Sequence, residues 1–252
     1  MTTLAARTIA ALRAEHDGLD AFSSEQLTAP SGASDWTVAQ VFSHLGSGAE
    51  IALAGLRSQP GPDFNQHVWD RWNALTPEAQ AAGWRKSDDA LVSDLEAMTP
   101  EQRETLEINP GFLPQPIPLA SIAGLRLNEV AHHSWDIRVA TDPAAGISPE
   151  TATLLAEHLS GGLSFLLGFI AKPDRIADPA VVEIAGTPYR IVIGDDSRLT
   201  TVPSPATATF TGPLEAALRL LAGRLGPSYT PAGVTVTGDV TLDDLRAVFP
   251  GF

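Results

Sequence analysis

The sequence predicts a two-part molecule: a helical domain over residues 1–172, then a smaller α+β domain over 173–252. Three observations predict it. Apolar residues recur at spacings of three and four through the first two thirds of the chain. Capping residues and prolines punctuate that pattern where helices should start and stop. Beyond Pro173 the pattern turns to alternation, in short β-branched runs separated by Gly and Pro.

Each element has its own justification. A first helix is expected from Thr3 to Phe22. A second should open at Ser34-Asp35-Trp36-Thr37, where Ser34 or Asp35 can cap free backbone N–H groups. Its apolar stripe is Val38, Val41, Phe42, Leu45, Ala49, Ala52 and Leu56. Thr76-Pro77-Glu78 is another start signal, since Pro suits the first helical position. A third long helix is expected between Ser87 and Leu106. Asn109 to Pro118 holds prolines at 110, 114, 116 and 118 and reads as an ordered, extended loop. A fourth long helix should run from Leu119 to Thr141, ended by Asp142-Pro143. Ser148-Pro149-Glu150 opens a further helix toward Ile170. In the second part, Val181–Ile184 and Tyr189–Ile193 read as strands around a Gly186-Thr187-Pro188 turn. Thr207–Thr211 and Val234–Thr237 are further strands; Pro213–Leu225 and Thr241–Phe249 are helices.

Composition narrows the function classes. The 252 residues suffice for a sizeable core. Thirty acidic against 16 basic residues give a formal charge of −14, which repels phosphate backbones and anionic membranes. Nucleic acid and membrane partners are therefore not expected. Cysteine is absent, so thiol chemistry would need a thiol from outside. The most apolar stretch, Leu159 to Ala171, is shorter than the ~20 residues that span a bilayer. The amino terminus lacks an export pattern, and a soluble, cytoplasmic protein is expected. Only Lys86 and Lys172 are lysines, and Ala, Gly and Pro abound, a composition that hints at a GC-rich source.

The chemistry-bearing residues concentrate on two helices. At about 100° per residue, Ile122, Leu125, Glu129, His133, Asp136 and Ala140 fall within about 40° of one line. A strip of ionisable groups bordered by apolar ones should face the bundle interior, where Glu, His and Asp need partners. Glu129 and His133, one turn apart, suit a helical metal site, although the same spacing also makes a plain ion pair. His44, about 60° from Val41 at the edge of the second helix's stripe, can supply a third ligand. Two His and one Glu leave a position open on Zn or a similar divalent ion such as Ni or Fe. Asp136, beyond His133, reads as a residue supporting that ligand or accepting a substrate hydroxyl. His132 points about 100° away from His133. His67, among aromatics, reads as structural; His16 and His158 read as helix-surface residues, and Asp88-Asp89 as a solvated helix start.

These residues resemble a known family. Asp35-Trp36-Thr37-Val38-Ala39-Gln40-Val41-Phe42-Ser43-His44-Leu45 resembles a "GWTVxDLxxHL" signature of the DinB-like four-helix bundles. Leu127 through Ile137, with Glu129, His133 and Asp136, resembles that group's later "ExxxHxxD" segment. Both are found in the branch typified by mycothiol-dependent maleylpyruvate isomerase. Thr209–Pro213, Leu220–Arg224 and Val234–Asp239 resemble the sterol-carrier-like α+β domain that follows in that branch. The resemblance implies that His44, Glu129 and His133 hold a divalent metal, most often zinc. It implies that the metal favours the thiolate of mycothiol, a low-molecular-weight thiol of actinobacteria, which then attacks a small electrophile. Isomerisation, S-conjugation and thiol exchange all fit. It also implies a catalytic Arg in the second domain, best matched by Arg224 and next by Arg190, holding a substrate carboxylate or a developing enolate. Asn65 resembles an Asn that contacts the thiol cofactor.

The expectation is thus a mycothiol-dependent S-transferase or isomerase using a metal and a small-molecule electrophile. The alternative is a sterol-carrier-type protein that binds a small apolar ligand without catalysis. The electrophile, the native metal and the oligomeric state are left open by the sequence.

Overall fold

In the computed structural model, residues 2–19, 22–33, 35–57, 60–110 and 113–251 are described. The chain forms two compact units, 1–145 and 146–252.

The first unit is helical. Its elements are α1 (Leu4–Asp17), α2 (Ser24–Thr28), α3 (Val38–Arg57), α4 (Phe64–Asn73), α5 (Pro77–Ala97), α6 (Pro100–Thr105) and α7 (Leu119–Arg138). α3 packs on α5 and α7, and α1 packs on the same two helices. Phe42, Leu45, Trp84, Leu91, Leu127 and Trp135 fill the space between them, each at most 2% exposed. Burying such side chains supplies roughly 1.5–3 kcal/mol each relative to exposure, which drives the assembly.

Caps set the helix starts. α5 begins at Pro77, with Thr76 Oγ1 accepting from the Ala79 N–H. It therefore starts ten residues before the expected start of the third long helix at Ser87. It stops at Ala97, and Thr99 caps the separate α6. The expected first helix ends early: Gly18 closes α1 at Asp17, and beyond Phe22 Ser23 with Gln26 forms a capping box for the short, unexpected α2. The proline-rich loop is closed at its base by two short strands, β1 (Glu107–Ile108) and β2 (Ile117–Pro118), paired antiparallel.

The second unit holds α8 (Pro149–Leu159), α9 (Leu166–Ile170), strands β3 (Ala180–Ile184), β4 (Arg190–Ile193), β5 (Arg198–Thr200) and β6 (Ala208–Thr211), α10 (Leu214–Leu221), β7 (Thr235–Gly238) and α11 (Leu242–Val248). The sheet order is β5-β4-β3-β6-β7. Only β3 and β6 run parallel, with Val182 opposite Ala208 and Ile184 opposite Phe210. β5, three residues led by Arg198, is too short to show an alternation and was not anticipated. The unit begins at Gly146 rather than near 172, because α8 packs on α10 and β5. His158 is buried there, not on a free helix surface. Among the described residues no helix is long and apolar enough to cross a membrane.

Candidate metal centre

Two helices deliver the candidate ligands. α3 starts at Val38 because Thr37 and Gln40 form a capping box: Thr37 Oγ1 accepts from Gln40 N–H at 3.3 Å, and Gln40 Oε1 from Thr37 N–H at 2.8 Å. Thr37 thus takes the role expected of Ser34 or Asp35. Ser34 lies outside the described residues, and Asp35 adopts φ 68°, in the left-handed region. The cap fixes the register of His44 on α3. α7 carries Glu129, His133 and Asp136.

Packing of α3 against α7 brings three of these side chains together. His44 Nε2 lies 3.0 Å from Glu129 Oε2, and His133 Nε2 lies 3.7 Å from the same oxygen. One donor atom each from His44, Glu129 and His133 lies within 4.8 Å of the other two. Zinc bonds of about 2.05 Å in a tetrahedron put ligand atoms about 3.3 Å apart. The 3.0 and 3.7 Å separations bracket that value. Two imidazole nitrogens and a carboxylate oxygen are also the right donor chemistry for zinc, nickel or iron.

Asp136 sets the orientation of His133. Its carboxylate is wholly buried, and Oδ2 lies 2.8 Å from His133 Nδ1. An ionised carboxylate can only accept, so Nδ1 carries the proton and Nε2 keeps its lone pair toward Glu129. Exposure is graded across the group: 0% for the Asp136 side chain, 12% for His133, 39% for His44 and 49% for Glu129. The group is anchored on one side and open on the other. The interior position expected for the whole strip is therefore corrected. Ile122, Leu125, Glu129 and His133 lie on the less buried side of α7, because Leu119, Ala123, Leu127 and Val130 take the interior.

The electrostatics favour a charged ligand. Desolvation opposes ionisation of Glu129, but the His44 hydrogen bond and the positive charge around it, from Arg126 and from His133 and His44 when protonated, prevail and hold its carboxyl at about 2. Glu129 is accordingly ready to meet a cation.

A fourth side chain, not anticipated, flanks the group. The Trp36 indole stacks on the His133 ring, with centroids 6.0 Å apart and planes at 22°, and lies 5.1 Å from His44. The segment before it is pinned to α7 by the Gly32 N–H, which donates to Asp136 O at 2.7 Å. A Cβ at Gly32 would come within 2.7 Å of Val139, so only glycine lets the segment approach so closely. The signal was present in sequence, a Trp directly ahead of the helix bearing His44.

The model described as the mycothiol maleylpyruvate isomerase N-terminal domain matches residues 7–138, just over half of the chain. The chain belongs to this family. Two solved structures share its fold: the mycothiol-dependent maleylpyruvate isomerase and a histidine-to-alanine variant of it. Each is 16% identical, with a TM-score of 0.59, over 95% of this chain and 92% of the other. No curated protein sequence matches.

The span matching the maleylpyruvate isomerase family model holds Trp36, His44, Asn65, Glu129, His133 and Asp136, and ends before Arg224. Asn65 is exposed in the first turn of α4, which packs on α3. Arg224 lies in the second unit, where α10 ends in a Schellman turn. Gly223 adopts φ 73°, and the Arg224 N–H donates to Arg219 O at 2.7 Å. Its guanidinium donates to Ala222 O. Arg190, the second candidate, pairs with Glu183 across the β3–β4 ladder. His132 is buried, with Nδ1 2.8 Å from Asn128 O, and lies outside the ligand group. His67 is exposed on α4, contrary to the structural role expected. His16 and Asp88 are corrected most sharply: both are buried, and His16 Nδ1 lies 2.9 Å from Asp88 Oδ2.

Proposed function

We propose that this chain is a metal-dependent thiol enzyme, a maleylpyruvate isomerase-like isomerase or S-transferase that uses mycothiol. The observation that carries this reading is the convergence of His44, Glu129 and His133, with His133 oriented by buried Asp136. Zinc is the first choice, with nickel and iron suited to the same donors. A divalent ion there would supply the positive charge that favours the thiolate of an external thiol. The chain has no cysteine of its own, so the nucleophile must come from a co-substrate.

The protein's residues take the remaining roles. Asp136 holds the proton on His133 Nδ1 and fixes the ring. Trp36 presents an aromatic face beside the open side of the ligand group. Asn65 is assigned to the thiol co-substrate and Arg224 to a carboxylate on the electrophile, held by charge-assisted hydrogen bonds. In isomerisation the thiolate adds to one carbon of a C=C conjugated to a carbonyl, and the π electrons pass to that carbonyl as an enolate. The former double bond, now single, rotates, and collapse of the enolate re-forms the C=C and expels the thiolate. In S-transfer the C–S bond persists. On this reading the first unit is a DinB-like four-helix bundle, the second is of the sterol-carrier type, and the protein works in the cytoplasm.

The test is metal analysis of gently purified protein beside His133→Ala, followed by mycothiol with maleylpyruvate and with a conjugating electrophile. About one divalent metal per chain, lost in the variant, together with turnover that needs both metal and thiol, supports the reading. No metal uptake from added zinc or nickel overturns it.

A further inference from the structure

A single hydrogen-bonded chain crosses all four long helices of the first unit. His16 on α1 lies 2.9 Å from Asp88 Oδ2 on α5. Arg126 on α7 donates through Nη2 to Asp88 Oδ1 at 2.8 Å and to Leu45 O on α3 at 2.9 Å. Asp88 is 0% exposed, His16 6% and Arg126 9%. Three ionisable groups are thus held in the interior, none of them among the candidate ligands, and the proposed thiol chemistry does not use them.

The chain ends beside that cluster. Leu45 follows His44 directly, and Arg126 stands one turn before Glu129 and two before His133. A helical carbonyl already accepts from its own ladder, so the Arg126 bond to Leu45 O is a cross-tie between the two ligand-bearing helices. α3 is shaped to receive it. A Cβ at Gly48 would come within 3.0 Å of Arg126 Nη1; Gly46 instead makes room for Trp72 of α4, whose ring a Cβ would meet at 2.2 Å. Glycine in a helix interior is unfavourable. Two within three residues, next to a ligand, are explained by these close approaches.

We propose that Arg126 is a positioning residue for the His44–Glu129–His133 group. It fixes the register of α3 against α7, and the Asp88–His16 pair holds its guanidinium in place. A buried charge aligned by a second charge gives one discrete arrangement, whereas apolar packing alone tolerates small slips. The ligand separations of 3.0 and 3.7 Å leave little room for such slips. This rests on the metal-binding reading.

The test is cobalt binding to the full chain stripped of metal, read by visible absorption and by competition with a chelator, with thermal stability recorded alongside. Wild type must first take up cobalt; if it does not, the metal reading itself falls. Given uptake, Arg126→Gln should weaken affinity about tenfold or more and alter the spectrum. Arg126→Lys should recover most of the loss, because both bonds leave from Nη2, where an ammonium can also donate twice. Gly48→Ala provides a second variant, whose fold is checked by its melting temperature. The added Cβ would come within 3.0 Å of Arg126 Nη1 and crowd the guanidinium, offsetting the gain in helix propensity. It should stay folded yet bind cobalt several-fold more weakly. Affinity and spectrum unchanged in Gly48→Ala, or in a folded Arg126→Gln, overturn the proposal.

Discussion

The buried Asp136 carboxylate lies 2.8 Å from His133 Nδ1, on the side of the ring away from Glu129. One hydrogen bond therefore decides which nitrogen of His133 faces the ligand group. Asp136→Asn keeps the shape but lets the amide donate instead of accept, so the tautomer is no longer enforced. The variant should still load metal at saturating concentration, with affinity lower by about 10–100-fold, and should turn over more slowly. Chelator competition and steady-state rates measure both. Loss of metal at saturation would place Asp136 among the ligands.

Trp36 lies 5.1 Å from His44 and 6.0 Å from His133, close enough to report on the site. Cobalt binding should quench part of the intrinsic fluorescence, and Trp36→Phe should abolish most of that change. Trp36→Ala should leave metal affinity within about threefold, since the indole donates no ligand atom, and should raise KM for thiol or electrophile. A larger fall in metal affinity would make the indole a support of the ligands and not a wall of the site.

Arg224→Ala should raise KM for a carboxylate-bearing electrophile about tenfold or more, the worth of a charge-assisted pair, and leave metal content unchanged. With an uncharged electrophile the effect should be small. Equal effects on both substrates would move the anion contact elsewhere, Arg190 being next to test.

Asp88 makes stability depend on acid. Burial raises its pKa, but the bonds and charges of His16 and Arg126 prevail and hold it below the usual 3.8. The folded protein then binds this proton less readily than the unfolded chain. The ionised group contributes stability above pH about 4 that is lost as pH falls through the lower folded value. Asp88→Asn should cost about 3 kcal/mol or more at neutral pH, because it leaves Arg126 unpaired. Its melting temperature should also fall less steeply than that of wild type below pH about 4. Asp94→Asn, which breaks an exposed pair with Arg57, should cost under about 1 kcal/mol.

The α3 cap gives a stability test independent of the site. Thr37→Ala removes the hydroxyl that accepts the Gln40 N–H and should cost about 1 kcal/mol. Asp35→Asn, which tolerates the left-handed φ of 68° at that position, should cost much less by urea denaturation, since the cap is Thr37 and not Asp35.

The candidate ligands of α7 share one face through periodicity, and the packing of α3 against α7 brings His44 to them. Glu129, His133 and Asp136 share a helix face through covalent geometry, and the Trp36–Leu45 segment places His44 eight residues after Trp36. The α-then-α+β order was legible for the same reason, as the change from a spacing of three and four to alternation is written in the chain. Helix ends were less legible than helix faces. Thr76-Pro77, itself a start signal, opens α5 ten residues before the expected Ser87, and Thr99 cuts α6 away from α5.

What the sequence by itself determined is which residues share a face. Which faces another element covers was decided only by the tertiary structure. Asp88 looks like half of a solvated Asp-Asp start and His16 like a surface residue. Each is buried because its partner arrives from a distant part of the chain, 72 residues away for the His16–Asp88 pair and 38 for Asp88–Arg126. A polar residue reads as exposed until the group that compensates its burial is known, and that group is set by packing between helices. The same holds in reverse for the ligand strip of α7. Its periodicity marked it as special, and only the packing of α3 against α7 left it at an open edge where a small molecule can reach it.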